Sequence, residues 1–168
     1  MKQPNWIDPR ALLLLHGESL AEHGGSKGLR DENAFHSALA RPQHVFRYKP
    51  DAGMAQLAGA YGFGLIRDHP FNDGNKRVGF LAILLFLDLN GFELNVDQID
   101  AIQTIMNVAG GELSETELTN WIRTHLRRAK DEPNQHISRP DTAGRTPPIN
   151  PRSQRRRVGF PPGLPSHP

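Results

Sequence analysis

His69-Pro70-Phe71-Asn72-Asp73-Gly74-Asn75-Lys76-Arg77 runs without a break into Val78-Gly79-Phe80-Leu81-Ala82-Ile83-Leu84-Leu85-Phe86-Leu87. The first part is a polar turn. The second carries no charge, so Lys76–Leu89 reads as an almost wholly apolar helix, and Asn90-Gly91 supplies its stop. A helix that is apolar all round is buried on all sides, which places this one at the centre of the fold. Ten apolar residues followed by Asp88 fall well short of the about 20 that a membrane span needs. A soluble protein is expected.

Outward from that helix, the pattern stays helical. Asp8 and Pro9 have the chemistry of an N-cap and a first helical turn. The run Ala11–Ala21 follows and His23-Gly24-Gly25 ends it. Asp31 or Asn33 can cap a short helix through Ala40, which Pro42 is expected to close. Met54–Ile66 is rich in Ala and Gly. Its glycines each cost a helix about 1 kcal/mol and so point to close packing against a neighbouring helix. Asn95 or Asp97 opens a further helix through Ala109, stopped by Gly110-Gly111. Ser114 and Glu117 have capping-box spacing before a last helix through about Ala129. Phe92–Val96 is the one candidate extended segment. The expectation is an all-α bundle.

Composition divides the chain of 168 residues near position 130. Residues 131–168 hold 9 of the 14 prolines and carry 6 Lys+Arg against 3 Asp+Glu, whereas residues 1–130 carry 14 against 15. The sequence pI of about 9.2 therefore describes the tail, and the body is not a basic domain built to coat nucleic acid. The domain expected is 1–130. The Pro/Arg-rich stretch 131–168 is too poor in apolar residues to offset its ordering entropy and is expected to be disordered. Arg155-Arg156-Arg157 leaves it at most a weak contact with nucleic acid or an acidic partner. Cysteine is absent, which excludes disulfides, thiolate metal sites and a cysteine nucleophile. With no apolar run behind its first charges, the N-terminus does not read as a secretory signal, and the cytoplasm is the expected location.

The nine residues from His69 carry the chemistry. A glycine-containing loop at a helix start offers unpaired backbone N–H groups and the positive end of the helix dipole, an anion site suited to phosphate. Lys76 and Arg77 stand in the first helical turn, where that dipole disfavours cations, and a bound anion relieves the repulsion. Asp73 can hold a hard divalent cation, which commonly binds one or two carboxylates plus substrate phosphates. His69 can take a proton from an attacking hydroxyl, since its ordinary pKa lies near neutrality. Base, metal and anion clamp are the parts that phosphoryl or nucleotidyl transfer needs.

The segment resembles the signature of the Fic/Doc (Fido) family, His-x-Phe-x-Asp/Glu-Gly-Asn-Gly/Lys-Arg. Within that family it looks most like the death-on-curing (Doc) toxins, which share the Asn-Lys-Arg ending. The likeness extends over roughly residues 6–128, through His23-Gly24-Gly25 to Arg30-Asp31, Ser37–Gln43, Ala60–Gly64 and Asn90-Gly91. It implies a Fic/Doc-type helical bundle around the buried helix. It further implies that His69 is the general base, that Asp73 is the Mg²⁺ ligand and that Gly74, Asn75 and Lys76 line the anion hole. Arg77 then contacts nucleotide phosphates, Asn72 helps place phosphate or metal, and Phe71 is a buried anchor. The catalytic set is His69, Asp73 and Arg77, with ATP and Mg²⁺ as cofactors.

Two departures separate this chain from AMP-transferring Fic enzymes, whose motif continues Gly-Arg-x-x-Arg. The glycine is replaced by Lys76 and the last arginine by Phe80. A long cation then stands where a triphosphate needs close backbone approach, and a bidentate phosphate grip is lost. The resemblance accordingly implies a Doc-like kinase that binds ATP in the reversed orientation and passes the γ-phosphate to a protein hydroxyl, the family target being a threonine of elongation factor Tu. AMP transfer is the rival activity, and a non-catalytic binding module the rival of a different class. The inhibitory Ser/Thr-x-x-x-Glu-Gly/Asn pattern is not found, because Thr116 leads to Asn120 and Ser26 to Arg30. Control is expected from a Phd-like antitoxin docking as a helix in a groove.

The remaining polar residues read more blandly. His16, His36, His44 and His125 have no metal-ligand spacing and are expected at the surface or packed. Gly24–Gly28 lacks phosphate-loop spacing and, by the family likeness, is a flap edging the substrate site, whose Lys27 and Arg30 either reach target or nucleotide or belong to a solvated loop. Arg67-Asp68 is expected to form a local ion pair, and Trp6 and Trp121 to be core or edge aromatics.

Overall fold

In a computed structural model, which describes residues 2–129, six α-helices and two short strands follow one another. They are α1 (Pro9–His23), α2 (Glu32–Tyr48), α3 (Met54–Asp68), α4 (Asn75–Leu89), β1 (Phe92–Leu94), α5 (Gln98–Ala109), α6 (Glu115–His125) and β2 (Leu126–Arg128). The stretch 131–168, expected to be disordered, lies outside the described residues. No described helix is long and apolar enough to cross a membrane.

Local chemistry sets most of the boundaries. Asp8 caps α1 by accepting from the Arg10 N–H, with Pro9 opening the helix. Asp31 caps α2 through the Ala34 N–H. Ser114 and Glu117 form a complete capping box at the start of α6. The N-caps of α2 and α5 are Asp31 and Asp97, so the alternatives Asn33 and Asn95 are not used.

Helices α3 and α4 are the centre of the bundle and pack on each other more extensively than any other pair. They cross at Gly62 and Gly79. A Cβ on Gly62 would stand 2.5 Å from the Ile83 side chain, and one on Gly79 would stand 2.5 Å from that of Ile66. The glycines of α3 therefore serve close helix approach, as their density suggests. Around this crossing α1, α2, α5 and α6 close a core that includes Leu12, Phe35, Leu57, Tyr61, Phe86 and Ile122. The N-terminal segment is held on the bundle by Trp6, which packs on Phe86 and edge-on to Phe46, and by the Ile7 N–H donating to the Tyr61 hydroxyl at 3.2 Å.

Three expectations are corrected. Pro42 does not end α2, which runs on to Tyr48 with Pro42 buried inside it. Proline removes one helical N–H, but the continuation carries Val45 and Phe46 onto the core, and that burial outweighs the lost bond. The buried helix α4 is not enclosed on every side. Leu81, Leu84 and Leu85 are half-buried, and Asp88 and Leu89 reach the surface. The last helix stops at His125, because Leu126–Arg128 leaves the helical path to pair antiparallel with Phe92–Leu94. The extended segment near Phe92 is thus half of a two-stranded ribbon, in the register Phe92↔Arg128, Glu93↔Arg127 and Leu94↔Leu126.

Candidate active site

The loop 69–74 joins the C-terminus of α3 to the N-terminus of α4, so it sits between the two most deeply packed helices. His69 is the C-cap of α3 at φ 47° and, among the described residues, the only non-glycine with positive φ. That left-handed conformation is uncommon away from glycine, and Arg30 holds it. The Arg30 guanidinium donates to the His69 carbonyl from Nε at 2.9 Å and from Nη2 at 2.7 Å, and to the Asp68 carbonyl at 3.2 Å. A cation at a helix C-terminus also complements the dipole. Arg30, read from the sequence as either a solvated flap residue or a contact to target or nucleotide, is committed to the turn that presents His69.

Asn75 closes the loop on itself. Its side chain accepts from the Phe71 N–H at 2.9 Å and donates to the Phe71 carbonyl at 3.0 Å. Gly74, at φ 78°, makes the left-handed turn into α4, a conformation that favours glycine. The first turn of a helix leaves its N–H groups without intrahelical partners, and here that turn is the start of α4. Phe71 is buried, edge-on to Phe35 of α2, as expected of an anchor.

The flap lies against the same loop. The Gly28 carbonyl accepts from the Asn72 N–H at 3.1 Å, Leu29 bridges Phe71, and the Arg30 and Asp31 N–H groups both donate to the Pro70 carbonyl. Asn72, expected to help place phosphate or metal, donates its amide to the Lys27 carbonyl at 2.9 Å. Arg67 makes no ion pair with Asp68; it reaches the Ala109 carbonyl at 3.4 Å.

Charge is concentrated and buried at the start of α4. Asp73 is 4 % exposed, Lys76 8 % and Arg77 2 %. The Asp73 carboxylate accepts from the Gly74 N–H at 2.8 Å and from the Ser26 N–H at 3.3 Å. Arg77 donates from Nη2 to the Gly24 carbonyl at 3.2 Å, and its Nε and Nη1 are buried without a hydrogen-bond partner among the described residues. Burial lowers the Lys76 pKa, with the Arg77 charge acting the same way against Asp73. Two buried cations against one carboxylate leave a local excess of positive charge. Burial also lowers the His69 pKa, assisted by the charges of Arg30, Lys76 and Arg67 against that of Asp68. Neutral imidazole, the form that accepts a proton, is therefore the favoured state near neutrality.

The fit to a divalent cation is narrow. No group of three or more His, Asp or Glu side chains capable of holding a metal exists among the described residues, so Asp73 alone supplies a carboxylate. That suits Mg²⁺, which keeps waters and shares phosphate oxygens. It does not suit a metal held by protein alone. The orphaned Arg77 nitrogens fit a phosphate in the same way, since a buried donor without a partner is costly.

His16 belongs to the site, a connection that the sequence reading missed. It is packed, 4 % exposed, with Nε2 2.8 Å from the Asp73 carbonyl and its ring stacked on Phe71 at 3.8 Å. Burial lowers its pKa, opposed by the bond to Asp73. The available signal was its position. Leu12, His16 and Leu20 recur every four residues on one face of α1, a polar ring in an apolar stripe. A cleft of about 450 Å³ opens beside it, lined by Leu13, His16, Leu20, Gly25, Lys27 and Phe71 among others.

The family model described as the Fic/DOC family matches residues 6–87. The protein kinase doc of Escherichia phage P1 is 28 % identical over 117 residues, which cover 70 % of this chain and 92 % of that protein. Toxin Doc of Mycolicibacterium smegmatis is 37 % identical over 87 residues, covering 50 % of this chain and 66 % of that protein.

Proposed function

Because this chain belongs to the Fic/DOC family, we propose that it is a Doc-like toxin that moves the γ-phosphate of ATP to a protein hydroxyl. One observation carries the reading: a fully buried arginine, Arg77, keeps two nitrogens unpartnered at the start of a helix opened by Gly74. That arrangement awaits an oxyanion, and the base that a phosphoryl acceptor needs stands at the other end of the same loop.

His69, neutral because it is half-buried among cations, takes the proton of the target hydroxyl as its oxygen attacks the γ-phosphorus. The bond from that phosphorus to the bridging oxygen breaks, and ADP leaves. The N–H groups at the start of α4 and the Arg77 guanidinium bind the phosphate oxygens, where charge accumulates. Asp73 would hold Mg²⁺, which neutralises phosphate charge when bound. Asn75 keeps the loop closed and Arg30 keeps His69 presented.

The choice of γ-transfer over AMP transfer rests on Lys76 and Phe80. The Lys76 side chain occupies space that a glycine would leave open, and Phe80 is 4 % exposed in the core, so that position brings no cation to the phosphates. The phage relative is itself called a protein kinase. By the family likeness the target is a threonine of elongation factor Tu, the location is the cytoplasm, and a Phd-like antitoxin controls the activity.

The deciding experiment incubates the protein with elongation factor Tu, Mg²⁺ and ATP labelled at the α- or the γ-phosphate. Transfer of γ label that His69→Ala abolishes is the expected result. Transfer of α label would install AMP transfer in its place. No transfer of either label, together with cell growth unaffected by expression of the wild-type chain, would remove the enzymatic reading.

A further inference from the structure

We infer that His16 is a positioning residue that holds the Asp73–Gly74 peptide plane, and so keeps the main-chain N–H of Gly74 turned to the Asp73 carboxylate at the mouth of the phosphate site. The inference rests on the phosphotransfer reading of that site and adds to it a residue from α1, 57 positions away from its partner.

The Asp73 carbonyl can only accept a hydrogen bond. At 2.8 Å the facing Nε2 of His16 must therefore carry the proton, and in the neutral ring Nδ1 is the bare nitrogen. The described residues contain no cis peptide, and in a trans peptide C=O and N–H point in opposite directions. Pinning the Asp73 carbonyl toward α1 therefore turns the Gly74 N–H away from α1. There it meets the Asp73 carboxylate at 2.8 Å, at the mouth of α4. Gly74 is the residue of this loop whose backbone is least restrained by its own side chain, so its peptide plane needs an outside hold. His16 supplies it, and it cannot swing away because its ring lies on Phe71 at 3.8 Å and is itself 4 % exposed. A Cβ added to Gly74 would stand 3.5 Å from the His16 ring, so the imidazole lies in direct contact with the turn it orients.

Two substitutions separate the donor from the ring. His16→Gln places an amide N–H at the same number of bonds from Cα as Nε2 and loses the stack. His16→Phe keeps the stack and loses the donor. With γ-labelled ATP, Mg²⁺ and elongation factor Tu, His16→Phe is expected to lower kcat about 10²-fold, the scale of losing one preorganised hydrogen bond at such a site. KM for ATP should change less than about threefold, and His16→Gln should stay within about tenfold of wild type. In the free protein, hydrogen exchange at the Gly74 amide should accelerate at least about tenfold in His16→Phe and remain near wild type in His16→Gln, as expected of local opening. Equal loss of activity in both variants, or unaltered Gly74 exchange in His16→Phe, overturns the inference. A wild-type protein that transfers no γ label refutes the phosphotransfer reading instead, and the Gly74 exchange then decides the role of His16 by itself.

Discussion

Arg77→Met should make the protein more stable and inactive at once. Arg77 is 2 % exposed, and its Nε and Nη1 have no partner among the described residues. A buried unpaired donor costs about 2 kcal/mol, so the two together cost about 4. Methionine fills a similar volume with no donor to satisfy. The substitution gives up one charge-assisted bond, from Nη2 to the Gly24 carbonyl at 3.2 Å, worth about 2 kcal/mol. Gly24 is exposed, so water replaces the lost donor on its side. The balance favours methionine by about 2 kcal/mol. At about 4 °C per kcal/mol for a domain of this size, Tm should rise by about 8 °C in scanning calorimetry without nucleotide. Mg·ATP at 100 times Kd should raise the wild-type Tm by about 11 °C, from a linkage of about 2.7 kcal/mol, and leave the variant where it was. The order of melting should therefore invert on adding nucleotide, while γ-label transfer falls by about 10³-fold, the lower range for an arginine that stabilises phosphoryl charge. A variant that melts below wild type in the absence of nucleotide would show that the guanidinium is satisfied inside the fold, and the case for a waiting anion site would fall with it.

Other perturbations test the site and its support separately. The His69 pKa is held below its ordinary 6.5, first by burial and then by the Arg30 charge, so γ-label transfer should rise with pH through a midpoint below 6.5 and then level off. Arg30→Gln should move that midpoint upward without carrying it past 6.5, because burial remains; a downward shift in the pH–rate profile would contradict the assignment. Gly79→Ala puts a Cβ 2.5 Å from the Ile66 side chain and 3.2 Å from the Gly62 carbonyl, which should cost about 1–3 kcal/mol by urea denaturation at unchanged m-value. Ser114→Ala removes the capping box of α6 and should cost about 1 kcal/mol while leaving transfer at the wild-type rate.

What could be seen in the sequence was what short-range chemistry decides. Asp8-Pro9, Asp31 and the Ser114–Glu117 pair mark helix starts because side chains cap the backbone within three residues of themselves. The run from Val78 marks α4 because its apolarity has no local alternative, and the loop 69–77 shows its chemistry because its residues are adjacent in the chain. What stayed hidden depends on contacts made far along the chain. Pro42 obeys its local rule everywhere except where burial of Val45 and Phe46 overrides it. Leu126-Arg127-Arg128 is too short to show an alternating pattern and becomes a strand only because Phe92–Leu94 lies beside it. Arg30 reads as a free flap cation until the turn at His69, 39 residues on, captures it. His16 reads as an ordinary helix residue until α1 meets the loop.

These hidden residues share a direction of action. A helix start crowded with Lys76 and Arg77 is electrostatically unfavourable, and a histidine at φ 47° is conformationally unfavourable. Neither persists from local preference, so the rest of the fold must impose both. Arg30 fixes the backbone at one end of the loop through three bonds to carbonyls. His16 fixes it near the other end through the Asp73 carbonyl, and Asn75 ties the middle to itself. All three grip main-chain atoms and, among the described residues, leave the His69 imidazole and Nε and Nη1 of Arg77 without a hydrogen bond. Supports that served stability alone would more naturally satisfy the buried cation. Supports that satisfy the backbone and withhold partners from the charge keep an anion site preorganised, and preorganisation is what makes a fixed dipole effective when charge develops on a transferring phosphate.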